Sequence, residues 1–200
     1  TAQMQAITTA QFASLSSTQL AALGSADVAA ITTADLKAMG TTALAGLSAD
    51  QIASLTTAQI AALGTAHIAA LSAEQVTGLS VGSVTALSSS QVSVLGSTQL
   101  VAFNTAQLAA IGTDDIKTLA TAALHALGAD QVAAMTSNQF GALTTAQAVA
   151  LTADQLGALG TASLNAMSSA DFAVLSSTQV AALTAAQVAK LETADLAALT

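Results

Sequence analysis

The 200-residue chain is 53% hydrophobic but only 7% charged and 2% aromatic, has no Cys, Pro, Trp or Tyr, and carries a formal net charge of −8. Such hydrophobicity excludes disorder, 3 basic residues cannot neutralise a nucleic-acid backbone, and a chain without Cys has neither disulfides nor thiolate metal sites. Polar residues interrupt every apolar stretch well short of the ~18 residues a spanning helix needs, so no membrane-spanning segment is expected.

Read from Thr1 in blocks of eight, the 200 residues form 25 octads with no insertion and no remainder, and Thr57-Ala58-Gln59-Ile60-Ala61-Ala62-Leu63-Gly64 is a clear copy. Octad position 7 is large and apolar in all 25, and position 4 in 24, the exception being Ala148. Position 3 is Gln or Asp in 20, position 1 is Ser or Thr in 19, and position 8 is Ser, Thr or Gly in 22. In one continuous helix an eight-residue period would drift by ~80° per octad, so the apolar stripe would circle the axis. In a strand, positions 4 and 7 would face opposite sides. The pattern instead fits a helix that is broken and re-aimed once per octad, with about six helical residues and a two-residue corner.

Local residue choice agrees. Ser16-Ser17-Thr18-Gln19 has the spacing of a capping box. Where position 8 is Gly, as in Gly24-Ser25, Gly40-Thr41 and Gly64-Thr65, the pair reads as a left-handed helix stop followed by an N-cap. Apart from Glu192, the acidic residues sit at positions 2 or 3, in the first turn, where the helix dipole favours them. Lys37 and Lys117 mark position 5 as the outermost face, and small residues at positions 2 and 6 would let neighbouring helices approach. A helix of this length is unstable alone. The octads must therefore stack, which makes the expected fold an all-α solenoid of 25 octapeptide repeats, with a single array over residues 1–200.

Along the chain, octads 1–9 (residues 1–72) are regular. Between Ala73 and Gly96 the copies degrade: Val81-Gly82-Ser83 lacks cap and Gln, Gly78 and Gly82 weaken their helices, and this is the expected soft region. Asn104 replaces Gly at a left-handed corner, and from Thr105 the pattern recovers, with a packing deficit at Ala148 that Phe140 would fill. The first and last octads resemble interior copies, so the array either continues beyond the sequence or associates with itself, end to end or side by side. A start in phase and without Met suggests an excerpt of a longer array.

No chemical site stands out. His67 and His125 are far apart in sequence and do not form a metal or acid–base pair. Asp27 and Asp35, one octad apart, would stack as neighbours, and Asp114-Asp115 is the densest acidic spot; dipole and capping roles account for them without a cation. No Ser has a base at a plausible spacing. No catalytic, cofactor-binding or metal-binding residue, no cofactor and no small-molecule substrate are expected. The 15 position-3 Gln side chains either cap their own helices or bond to neighbouring octads as a ladder.

The tracts Leu55-Thr56-Thr57-Ala58-Gln59-Ile60-Ala61-Ala62-Leu63, Thr105-Ala106-Gln107-Leu108 and Leu143-Thr144-Thr145-Ala146-Gln147 resemble the Thr-Ala-Gln-rich octapeptide tracts of very large bacterial secreted or adhesin-like proteins. That resemblance implies an extracellular or cell-surface structural role, as a rod, stalk or self-assembling filament, and no enzyme. The alternative is an ice- or crystal-surface-binding protein, which needs its Ser and Thr hydroxyls on one flat face.

Overall fold

A computed structural model describes residues 4 and 6–199. Among these residues the chain is all helical, with 24 α-helices of four to six residues from Thr9–Ala13 to Thr193–Ala198, one per octad. Each begins at position 1. Position 8 is the N-cap in extended conformation (Thr56, φ −70°, ψ 158°), and where the helix is longest position 7 is extended too (Leu63, φ −63°, ψ 140°). Two consecutive extended residues re-aim the chain with backbone angles open to any amino acid.

This corner corrects the expected left-handed stop. Among the described residues none, glycine included, has positive φ. Gly24, Gly40 and Gly64 are themselves N-caps with φ between −72° and −73°, so the Ser or Thr that follows is the first helical residue. Asn104 likewise has φ −75° and caps its helix, its side chain accepting from the Gln107 amide at 2.9 Å. The direction change is already made by the extended pair, so no left-handed residue is needed.

Successive octads wind into a superhelix. The principal helix contacts all join octads three apart, as between Ala129–Ala133 and Ala153–Ala158, while side-chain hydrogen bonds join residues 28 and 31 apart, near four octads. One turn therefore takes between three and four octads, close to 28 residues. Asp27 and Asp35 in adjacent octads are consequently not stacked, because the neighbour of any octad lies a full turn away.

Positions 4 and 7 form one continuous apolar core, as the periodicity requires: Ile60, Ile68, Leu100 and Leu156 are fully buried at position 4, and Leu63, Leu71 and Leu95 are almost so at position 7. The expected outer face is found at position 5, which is exposed in 21 of the 24 described octads, and position 2 is exposed in all of them. At two position-5 glycines the next turn comes close: a Cβ on Gly141 or Gly157 would lie 3.0 or 3.1 Å from the Ala166 or Ala182 carbonyl oxygen. Small residues matter at position 6. A Cβ on Gly46 would lie 2.3 Å from the Ser17 carbonyl oxygen, and one on Gly78 would lie 2.1 Å from that of Ala49.

The stretch 73–96 has the same architecture, with helices at Ala73–Thr77, Val81–Thr85 and Ser89–Val92 and with Val76, Leu79, Val84, Leu87, Val92 and Leu95 buried. Val81–Thr85 is capped after all, because the Ser80 hydroxyl accepts from the Ser83 amide at 3.0 Å. At Gly78 the backbone of the preceding turn lies where a Cβ would sit, 2.1 Å from the Ala49 carbonyl oxygen, so its lack of a side chain serves packing. Ala148 is completely buried, and its helix stacks on Thr121–His125 and on Ser169–Phe172.

Candidate functional site

The repeated chemistry of the molecule lies at position 3. In octad 19 the Thr144 hydroxyl accepts from the Gln147 amide at 3.3 Å, and Gln147 Oε1 accepts from the Thr144 amide at 2.9 Å, closing a capping box. The Nε2 of the same side chain donates to the carbonyls of Ile116 and Leu119, both at 2.8 Å, on the preceding turn. Gln147 is 1% exposed, so its amide leaves water without losing its bonds: both protons have acceptors and the oxygen has a donor.

The two expected roles of these glutamines therefore coexist in one side chain. From Gln51 onward every position-3 Gln donates to carbonyls 28 to 31 residues earlier, Gln51 to Leu20 and Leu23, Gln107 to Val76 and Leu79, Gln187 to Leu156 and Leu159. Gln11 and Gln19, with no turn beneath them among the described residues, keep only the local cap. Filling both roles at position 3 takes a long side chain that both donates and accepts. Leu lacks both functions, and Glu lacks the donor.

One exception fills both roles and the others do not. His67 replaces Gln in octad 9: its Nδ1 accepts from the Gly64 amide at 3.1 Å, which leaves Nε2 as the donor to the Met39 carbonyl at 2.7 Å. One ring thus serves as cap and as cross-turn donor. His125, at position 5, bonds through Nδ1 to the Ala150 carbonyl at 2.9 Å, 25 residues on, so each histidine is committed to backbone and they do not meet. Ser83 reaches only Ser80, at 2.9 Å, and no side chain donates to the carbonyls of Ile52 and Leu55 below it.

The aspartates at position 3 accept and do not donate. Asp35 takes the Thr32 hydroxyl at 2.6 Å, Asp115 takes Ser89 from the preceding turn, and Asp195 takes Ser169 at 2.8 Å. Asp171 receives the Ser168 amide and hydroxyl on Oδ2, while its other oxygen is buried without a partner. Asp114 pairs with Lys117 at 3.0 Å on the surface, where exposure of 93% and 53% leaves the pair little strength. Among the described residues no three His, Asp or Glu side chains gather at one point.

Open grooves indent the surface. One, of about 400 Å³, is lined by Thr113, Ser137, Asn138, Gly141, Ala142 and Ala166 and contains no ionisable group. Another, of about 320 Å³, lies at the last turn between Leu175, Ser177, Val180, Ala181 and Leu199. The position-8 hydroxyls are spent as helix caps, as at Thr8, Thr32 and Thr184. With three to four octads per turn, these residues are distributed around the superhelix. No described helix is long and apolar enough to cross a membrane.

The ALTTAQ repeat family model matches residues 1–33, 28–65, 108–145 and 149–185, well over half the chain. The chain belongs to the ALTTAQ repeat family. Between the second and third matches lies 66–107, which contains the degraded octads, and there the ALTTAQ superhelix continues without a break. No curated protein matches the chain significantly.

Proposed function

We propose that this ALTTAQ repeat chain is a mechanical spacer, a stiff rod or stalk within an extracellular bacterial surface or matrix protein, with no catalytic role. The observation that supports this most is the glutamine ladder: 12 of the 18 octads from Gln51 to Gln187 are tied to the turn before them by glutamine amide bonds, and His67 ties one more. Extending the rod requires breaking those bonds and exposing the core together, so stiffness is spread along the whole length. Length is then set by copy number. At about 28 residues per turn the chain makes about seven turns, and the 8–10 Å spacing of packed helices gives a rod roughly 60–70 Å long. The surface location draws on the resemblance to secreted and adhesin-like repeat tracts.

Electron micrographs of the purified chain and of a tandem duplication test the rod: its length should double at constant width. Globules of unchanged aspect ratio would reject it. Antibody labelling of intact cells of the source organism tests the location, and signal obtained only after lysis would contradict a surface role.

A further inference from the structure

Asp171 stands where the repeat usually places a glutamine, and only half of its carboxylate is satisfied. Oδ2 accepts from the Ser168 amide at 2.9 Å and from its hydroxyl at 2.7 Å, the same two bonds that Gln179 Oε1 accepts from Ser176 in the next octad. The carboxylate is thus oriented as a capping glutamine is, and Oδ1 takes the place of the amide nitrogen, one methylene short of its reach. Asp171 is 3% exposed, and Oδ1 is buried with no hydrogen-bond partner among the described residues. Asp115 and Asp195 accept from Ser89 and Ser169, 26 residues earlier, whereas the corresponding Thr145 makes no bond to Asp171 Oδ1. By the spacing that Gln147 and Gln179 obey, the groups facing Oδ1 are the carbonyls of Phe140 and Leu143, 31 and 28 residues earlier. Neither receives a side-chain donor among the described residues, and the Leu143 carbonyl has no backbone donor either. Both follow from the C-terminal end of the helix Ser137–Gly141, where the dipole favours positive charge.

Three oxygens, one of them anionic, are therefore set together where the repeat elsewhere puts two amide protons. A water molecule does not complete this set, since its two hydrogens leave one of three acceptors without a donor. A metal cation satisfies all three at once, and a carboxylate with carbonyls suits a hard one. Charge sets the valence: one carboxylate neutralises a monovalent ion, while a divalent ion would leave net charge in the core. We propose that Asp171 Oδ1 and the carbonyls of Phe140 and Leu143 bind a monovalent cation of the sodium type, which closes the break in the ladder at octad 22 as the glutamine amide does elsewhere. Three protein ligands are few, so binding is weak and matters only in salt. The site stands independently of the spacer role.

Thermal melts at constant ionic strength test the proposal, with sodium chloride exchanged stepwise for tetramethylammonium chloride, whose cation is too bulky to enter. Ionic strength must be fixed, because a chain of net charge −8 gains from any screening salt. Sodium should raise the melting temperature by about 2–4 °C, and the chain should broaden the sodium NMR resonance. Asp171→Gln, which supplies the amide, should abolish the melting response and reduce the broadening. Asp114→Asn, which removes an exposed carboxylate of equal charge, should retain the melting response. Equal melting of the unaltered chain in the two salts overturns the proposal, as does a sodium response that survives Asp171→Gln. Stabilisation by calcium alone, or by mild acidification with no response to sodium, would overturn it as well.

Discussion

Octads 11 (81–88) and 19 (145–152) lack opposite halves of the same repeat. Octad 11 buries both core side chains, Val84 and Leu87, but has Ser83 where the cross-turn amide belongs. Octad 19 has the complete amide network of Gln147 but only Ala148 in the core. Both nevertheless form a capped helix, Val81–Thr85 and Thr145–Ala150, that stacks on helices three octads away. The two halves are therefore separable in effect. The apolar pair and the cap determine that an octad coils and which face turns inward; the amide fixes one turn against the one before it.

The comparison breaks most sharply in the core. Leu87→Asp and Leu151→Asp each bury a charge with no partner and should cost about 4 kcal/mol or more in either octad, seen as loss of the cooperative thermal transition. Ala146→Asp at the exposed position 2 should shift stability by no more than about 0.5 kcal/mol. Equal damage at 146 and 151 would mean the faces are misassigned.

Next in size is the amide. Gln147→Glu keeps the cap but turns a carboxylate toward the carbonyls of Ile116 and Leu119, a loss of about 2–4 kcal/mol in urea denaturation of the chain. The identical change at Gln19, with no turn below, should cost about 0.5 kcal/mol or less. If the two positions respond alike, the cross-turn bonds contribute nothing and the ladder fails as an explanation of stiffness.

Smaller effects separate the glycines of the degraded stretch. Gly78→Ala forces a methyl to within 2.1 Å of the Ala49 carbonyl oxygen and should lose about 1–3 kcal/mol. Gly82→Ala meets the Thr57 methyl at 3.4 Å and the Ser80 hydroxyl at 3.8 Å, both ordinary contacts, and should gain about 0.5–1 kcal/mol through helix propensity. Ser83→Gln should gain about 1 kcal/mol by supplying the missing donor to Ile52 and Leu55. A neutral or destabilising result there would show that octad 11 has adjusted to do without it.

Much of this was legible in the sequence, because one octad suffices to reveal it. The core positions follow from apolar residues three apart, as in Ile60 and Leu63. The capping boxes follow from a hydroxyl and a Gln three apart, as in Thr56 and Gln59. What near-identical octads cannot encode locally is which of them meet. The spacing of 28 residues between Gln147 and Leu119 depends on the angle of each corner, and adjacent Asp27 and Asp35 looked like neighbours for want of it. Glycine was misread for a related reason. Gly24 beside Ser25 has the composition of a left-handed stop, but the turn is made by two extended residues of ordinary φ. Gly78 looked like a defect because the Ala49 backbone it accommodates is 29 residues away in the chain.

The side-chain amide protons of Gln147 report most directly on whether the polypeptide returns upon itself once per 28 residues. In a nuclear Overhauser spectrum of chain labelled at glutamine side chains, these protons should show through-space contacts to the backbone of Ile116 and Leu119 and should exchange slowly with water. Contacts confined to residues 144–148, with exchange as fast as that of the exposed Gln19, would contradict the superhelix and the role assigned to its glutamines.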